Sequence, residues 1–363
     1  MNFKRSKVCL AVLLSLSPVI MPFASAQQNA DVIEVDETET ADGHGDNWKS
    51  IEIGTTKFTA KDDAAGIFFD HKSPEAAGRS SIAIGTSAEA GLEMTDFKTG
   101  EAIAIGPKAK ATKEQSIAIG GDTKATGWGS IVIGGDDLTP LHGRTYGEKT
   151  IEEGYKSSEA KGEGSIVIGS RSVAEQPLSV AVGAISSSTG MASTSVGATS
   201  EATGNMSIAA GFNSQALAES ALAVGAFAKA KQVNSIAIGD RASVNNKSAI
   251  ALGNGAVVSN GDNNISIGSG SHDRAVKKID SAVIPANTGN SVTYSGFAGN
   301  NPSSVLSVGH LGHERQIINV GAGEISDTST DAINGSQLYA IAKTLKDDLD
   351  AINPTWIDRK SVV

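Results

Sequence analysis

The chain has 363 residues, of which 41 are glycine and only 4% are aromatic, and 40 acidic side chains outnumber 30 basic ones. So few bulky side chains argue against one large globular core and for many small aliphatic contacts between repeated units. A net charge of −10 argues against nucleic acid as a partner, and the single cysteine, Cys9, lies in the leader described next, which leaves the rest without disulfide or thiol chemistry.

Residues 1–26 read as a cleaved signal peptide: Lys4, Arg5 and Lys7 precede a mostly apolar run over 8–23, and Ala24-Ser25-Ala26 is a small-residue cleavage site. The product is therefore exported. Residues 27–49 carry Asp31, Glu34, Asp36, Glu37, Glu39, Asp42 and Asp46 with no basic residue before Lys49, and read as an acidic flexible leader.

From residue 50 to 268 a five-residue phrase ending in glycine recurs, first at 50–54, 81–85, 102–106, 116–120, 130–134 and 165–169. Its glycines include Gly85, Gly106, Gly120, Gly169, Gly183, Gly197, Gly211, Gly225, Gly239 and Gly253, and from Gly169 to Gly253 glycine returns at every fourteenth position, six times in succession. A fixed period of this kind marks a stacked repeat. In Ser116-Ile117-Ala118-Ile119-Gly120 the two β-branched residues stand at i and i+2 and share one face of a strand. The small polar half of each unit, such as Ala228-Lys229-Ala230, reads as a second, shorter strand. Two strands and two glycine turns make one coil, and coils stacked in register make a parallel β-roll. On this reading Ile82, Ile84, Ile117, Ile119, Ile166, Ile168, Ile236 and Ile238 form the repeat core inside the roll. The alanine and serine face is then buried against another copy of the chain. The glycines are turn residues, needed for positive φ or close backbone approach.

Three interruptions stand out. The interval from Gly85 to Gly106 exceeds the period by half, that from Gly134 to Gly169 by one and a half periods, and that from Gly253 to Gly268 by a single position. The largest places a charged insert at 135–164, with Tyr146 and Tyr155, which is either a variable binding loop or a tolerated solvated insertion. The interval from Gly268 to Gly309 is nearly three periods, so 269–309 reads as a connector.

The C-terminal part holds Glu314-Arg315-Gln316-Ile317-Ile318-Asn319-Val320-Gly321-Ala322-Gly323 and then Ser329-Thr330-Asp331-Ala332-Ile333-Asn334-Gly335-Ser336-Gln337-Leu338-Tyr339. This closely resembles the neck of the trimeric autotransporter adhesins, the YadA-like family of bacterial surface proteins, and the glycine phrases resemble that family's head repeats. The resemblance implies an all-β repeat head, a homotrimer of left-handed parallel β-rolls, followed by a neck at 310–337 and the start of a coiled-coil stalk at 338–363. It also implies that Arg315, Gln316, Ile317, Asn319, Val320, Asp331, Ala332, Ile333, Asn334, Gln337 and Leu338 are neck and trimer contacts. Leu338, Ile341, Leu345 and Ile352 fall at the spacing of a coiled-coil seam, with Asp348 where an apolar residue is expected, and Pro354 is expected to stop the helix. Members of the family are anchored by a C-terminal membrane barrel. No run of alternating strands is found here, so the anchor is expected to be absent from this sequence, and the chain reads as a fragment or truncated frame in preference to a released product.

Residues with chemical potential are few. His310 and His313 stand beside Glu314 with no third ligand nearby and no HExxH, so no metal is expected. Gly321-Ala322-Gly323 lacks the rest of a dinucleotide fingerprint, and there is no Walker A sequence or GxSxG elbow. The Gly-Gly-Asp stretches ending at Asp122 and Asp136 lack the nine-residue period of calcium-binding rolls and read as turns. Hexapeptide acyltransferases have a period of six and a catalytic histidine, whereas no histidine lies between Gly169 and Gly253. The chain is thus expected to be no enzyme, with no catalytic residue and no cofactor. The function expected is attachment, by three identical faces, to host extracellular matrix, host cells or other bacteria, at the cell surface and attached to the outer membrane. The alternative is a non-binding spacer of a surface fibre. The sequence singles out no ligand-binding residue.

Overall fold

The computed structural model describes residues 32–38, 48–54, 74–77, 80–91, 100–146, 149–285 and 289–358. The expected signal peptide lies outside the described residues, as does most of the acidic leader.

Two ribbons of short strands run the length of the head. The first sheet has fifteen strands among the described residues. Three-residue strands such as Ile82–Ile84, Ile117–Ile119, Ile166–Ile168 and Ile265–Ile267 stack parallel in register, with Ala118 level with Ala104 on one side and Val132 on the other. The second sheet has twelve two-residue strands, from Glu75–Ala76 to Val257–Val258, also parallel. Each coil contributes one strand to each sheet, and neighbouring coils sit about 4.8 Å apart.

The residues of the phrase have distinct duties in the turns. Gly183 has φ +125°, and a Cβ there would stand 2.6 Å from the carbonyl carbon of Gly197 in the next coil. The serine that opens the phrase is buried and its hydroxyl donates to the carbonyl three positions back: Ser130 to Gly127 at 2.7 Å, Ser165 to Gly162 at 2.6 Å. The buried turn carbonyl, which also accepts from the serine's own backbone N–H, thereby gains a second donor.

The two faces of the first sheet are the reverse of the sequence expectation. Ala83, Ala118, Ala181, Ala223, Ala237 and Ala251, with Val132 and Val167, are completely buried between the sheets, as are Ala90, Ala111, Ala160 and Ala230 opposite them. Ile82, Ile84, Ile117, Ile119, Ile166, Ile236 and Ile238 are only partly covered, and Ile168 is 43% exposed. The reason is thickness. Strands of two and three residues joined by tight turns bring the sheets too close for facing isoleucines, so alanine fills the interior and the branched side chains form an outer ladder.

Other boundaries also shift. The leader is not wholly irregular: Val32–Thr38 pairs antiparallel with Trp48–Gly54 and closes one edge of the first sheet. Its β-branched residues are interleaved with acids, and the charge masks the strand pattern. The insert leaves the roll at 135–157, because Ser158 and Glu159–Ala160 already belong to the second sheet, bonded to Lys124 and the Lys124–Ala125 strand. The roll closes over the gap, Ile131–Ile133 pairing directly with Ile166–Ile168. Within the connector, Ser281–Pro285 and Ser291–Ser295 form an exposed antiparallel hairpin, and Leu306–Ser307 then returns to the first sheet beside Ile265–Ile267. The helix Gly335–Asp358 runs through Pro354. A proline there forfeits one ladder bond, to the carbonyl of residue 350, in a turn whose later carbonyls are unpaired in any helix.

Candidate interaction surfaces

The head presents two unlike faces. On the first sheet the outer ladder is apolar: Ile166 and Ile168, Val180 and Val182, Leu222 and Val224, Ile236 and Ile238, Ile250 and Leu252, Ile265 and Ile267. On the second sheet the outward residue of each strand is mostly charged or polar, and two neighbouring pairs are of opposite sign: Lys110 lies 2.7 Å from Glu89, and Lys124 3.0 Å from Glu159. Burial pushes the Glu159 carboxyl up, but Lys124 and Lys161 beside it hold it below the usual carboxylate range.

The insert lies back over the second sheet. Its hairpin, Thr145–Tyr146 paired with Lys149–Thr150, carries Lys149 to within 3.5 Å of Glu201. Ile151 is buried beneath it, and the backbone carbonyl of Glu152 accepts a hydrogen bond from Arg171 Nη1 at 2.9 Å. A cavity of about 450 Å³ remains between insert and sheet. Of the tyrosines singled out in the sequence, Tyr155 is exposed. Near the start of the insert, burial raises the Asp136 carboxyl, and hydrogen bonding and repulsion from Asp122 push it further up.

At the base of the head, Asn264 occupies the place where the phrase usually has serine. It is buried with Asp273, whose carboxylate accepts hydrogen bonds from Asn264 Nδ2 at 2.8 Å, Ser259 N at 2.8 Å, Asn260 N at 2.9 Å and Asn260 Nδ2 at 3.0 Å. Burial pushes Asp273 up, yet these donors hold it below the usual carboxylate range. Asn264 Oδ1 also accepts from Val305 N at 2.8 Å, fastening the end of the connector to the last regular coil. The single extra position between Gly253 and Gly268 is the sequence trace of this node, which composition and periodicity otherwise missed.

Several polar neck residues hold the loops of their own chain together. Arg315 lies over Gly268, where another coil would stack, and donates to Ser271 Oγ at 3.0 Å and to the carbonyls of Ser269 and Val308. Asn334 Oδ1 accepts from Gln337 N at 3.3 Å, and Gln337 Oε1 from Asn334 N at 3.2 Å, a reciprocal helix cap that the Asn-x-x-Gln spacing encodes. Gln337 also bonds both backbone groups of Gly323, Asn334 Nδ2 reaches the Val320 carbonyl at 3.1 Å, and Asp331 accepts from Glu324 N at 3.0 Å. Asn319 takes a left-handed φ of +61°. Gln316, Ile317, Ala332, Ile333 and Leu338 stay exposed, as do Ile341 and Leu345 on the helix; the side chain of Ile352 lies outside the described residues.

His310 and His313 flank a tight turn with ring centres 4.4 Å apart, and the His272 ring lies 5.9 Å from His310. Among the described residues no group of three or more metal-ligating side chains is placed to hold an ion, and no helix is long and apolar enough to cross a membrane.

The model of the YadA head domain repeat matches residues 101–123, 111–136, 160–186, 202–228, 216–242 and 230–256, and that of the coiled stalk of trimeric autotransporter adhesins matches 316–355. The chain is 54% identical over 54 residues to autotransporter adhesin BtaE of Brucella suis biovar 1 (strain 1330), a stretch covering 15% of this chain and 7% of that protein. Solved structures similar to it include the collagen-binding domain of the Yersinia adhesin YadA, at 30% identity and a TM-score of 0.40 over 51% of this chain and 86% of that one. The C-terminal YadA-like domain of a Burkholderia pseudomallei protein is similar at 35% identity and a TM-score of 0.28, over 35% and 53% respectively. With head repeats along the roll and the stalk segment directly after it, the chain belongs to the YadA-like family of trimeric autotransporter adhesins.

Proposed function

We propose that this chain is the head, neck and upper stalk of a homotrimeric surface adhesin that attaches a bacterium to host matrix, host cells or other bacteria. The observation that carries the reading is the outer Ile/Val ladder. A single roll leaves a continuous apolar strip along its first sheet, and burying one half-exposed branched side chain contributes roughly 1 kcal/mol, so a dozen coils supply a large driving force for self-association. Exposed Leu338, Ile341 and Leu345 extend the same logic into the stalk. With the first sheets turned inward, the charged second sheets, the inserts and the turn edges face outward in three copies, which multiplies weak contacts into avidity. We assign 1–26 to the signal peptide, 27–49 to an acidic leader, 50–309 to the head with its connector, 310–337 to the neck and 338–363 to the start of the stalk, and the protein to the cell surface.

The test is solution mass by light scattering on residues 27–363, followed by binding of the trimer to immobilised matrix proteins, cultured cells and a second bacterial surface. A mass of three chains with saturable binding to one of these supports the reading. A trimer that binds none of them points to the spacer role, and a β-rich monomer overturns the assignment of the ladder.

A further inference from the structure

We propose that the cleft between the insert and the second sheet binds an anionic group carried on a sugar-sized ligand, with Arg171 as its buried anchor. Arg171 is 8% exposed, yet among the described residues the one side-chain hydrogen bond of its guanidinium goes to the neutral carbonyl of Glu152, and no carboxylate lies within ion-pair distance. A guanidinium has five N–H donors and a fixed charge, and a buried charge without a directly hydrogen-bonded counter-ion is costly. The Glu152 carboxylate acts on the guanidinium only at longer range and is itself paired with Lys156, and Glu201 is paired with Lys149. Lys149, Lys156 and Arg171 all line the cavity, and Glu152 is the one acid among its lining residues. A planar or tetrahedral oxyanion fits the free edge of the guanidinium, as sulfate esters and carboxylates do in bidentate pairs. The volume of about 450 Å³ falls in the range of small-molecule sites and exceeds the needs of a bare ion. Ile151, Val173 and Ile185 supply apolar wall for the body of the ligand, and Ser187 a hydroxyl.

The place of the site also argues for it. It lies on the second sheet, away from the Ile/Val ladder, so it stays open if the first sheets meet in a trimer; only this last point rests on the proposed function. The acidic charge of the whole chain steers anions away, so recognition must come from the fixed cluster and not from a long-range field.

The experiment is calorimetric titration of the purified 27–363 chain with N-acetylglucosamine 6-sulfate, glucuronate, uncharged N-acetylglucosamine and inorganic sulfate. The expected result is saturable binding of at least one charged sugar, one per chain, tighter than inorganic sulfate, with no binding of the uncharged sugar. Arg171→Gln should weaken it at least about tenfold. Lys156→Gln, at an exposed position, should weaken it several-fold with an unchanged circular dichroism spectrum. No binding by the folded chain, binding of inorganic sulfate alone, or binding indifferent to both substitutions overturns the proposal. Because only small anions and purified chain are used, any of these leaves the adhesion assay to stand or fall by itself.

Discussion

Gly183 shows how a single atom is excluded by the stacking. A methyl group there meets the backbone of the next coil at 2.6 Å in a φ region that side chains rarely adopt, so no rotamer change relieves the contact. Gly183→Ala is expected to destabilise the head by about 3 kcal/mol in denaturant unfolding; a loss below a few tenths would refute the clash. Asp273 works through charge. Its carboxyl is held below the ordinary range in the folded chain, so its contribution is fully present above the unfolded value, about 3.9, and is lost as pH falls through the lower folded value. Thermal midpoints at pH 6 and pH 3 should therefore differ less in Asp273→Asn than in the parent. Equal acid sensitivity in the two would count against the node. Neither residue could be weighed from the sequence in the same way: Gly183 was legible from the period, whereas Asp273 lies beyond the last regular phrase and meets Asn260 and Asn264 only through the fold.

The strand is the element at which sequence reading succeeded and failed together. Alternation in Ser-Ile-Ala-Ile-Gly correctly put Ile236 and Ile238 on one face and Ala237 on the other, but alternation is silent on which face is inside. Hydrophobicity alone favours isoleucine for the interior. The decisive quantity is the spacing between two sheets joined by tight turns, which only alanine and an occasional valine satisfy. The ladder's outward position makes a specific forecast: Ile238→Asp should reduce the light-scattering mass of the trimer toward that of one chain while leaving the β spectrum intact. If the mass holds and the spectrum collapses, the side chain is a core residue after all. Helix and neck show the same division. The helix that carries Leu338, Ile341 and Leu345 was legible from their spacing, but the seating of Arg315 over Gly268 depends on Ser269 and Ser271, which lie on the far side of the connector in sequence.

At the scale of the whole molecule, contacts run almost wholly between adjacent coils, so the head behaves as a one-dimensional stack. Removal of residues 212–225, one period between equivalent glycines, should leave a folded head shortened by about 4.8 Å. Removal of half a period should not, since it sets alanine and isoleucine faces out of phase. Small-angle scattering and circular dichroism on both deletions would separate these outcomes.

The antiparallel strand Val32–Thr38 carries a consequence of another kind. A stack of near-identical parallel coils is open at its ends, and an open end offers another molecule a template for continued growth into filaments. At the first end the chain reverses direction and presents a strand bearing Glu34, Asp36 and Glu37. At the other, Leu306–Ser307 returns beside Ile265–Ile267 and the Arg315 guanidinium lies over Gly268. The two ends of the first sheet thus differ, which disfavours continued end-to-end stacking relative to association side by side.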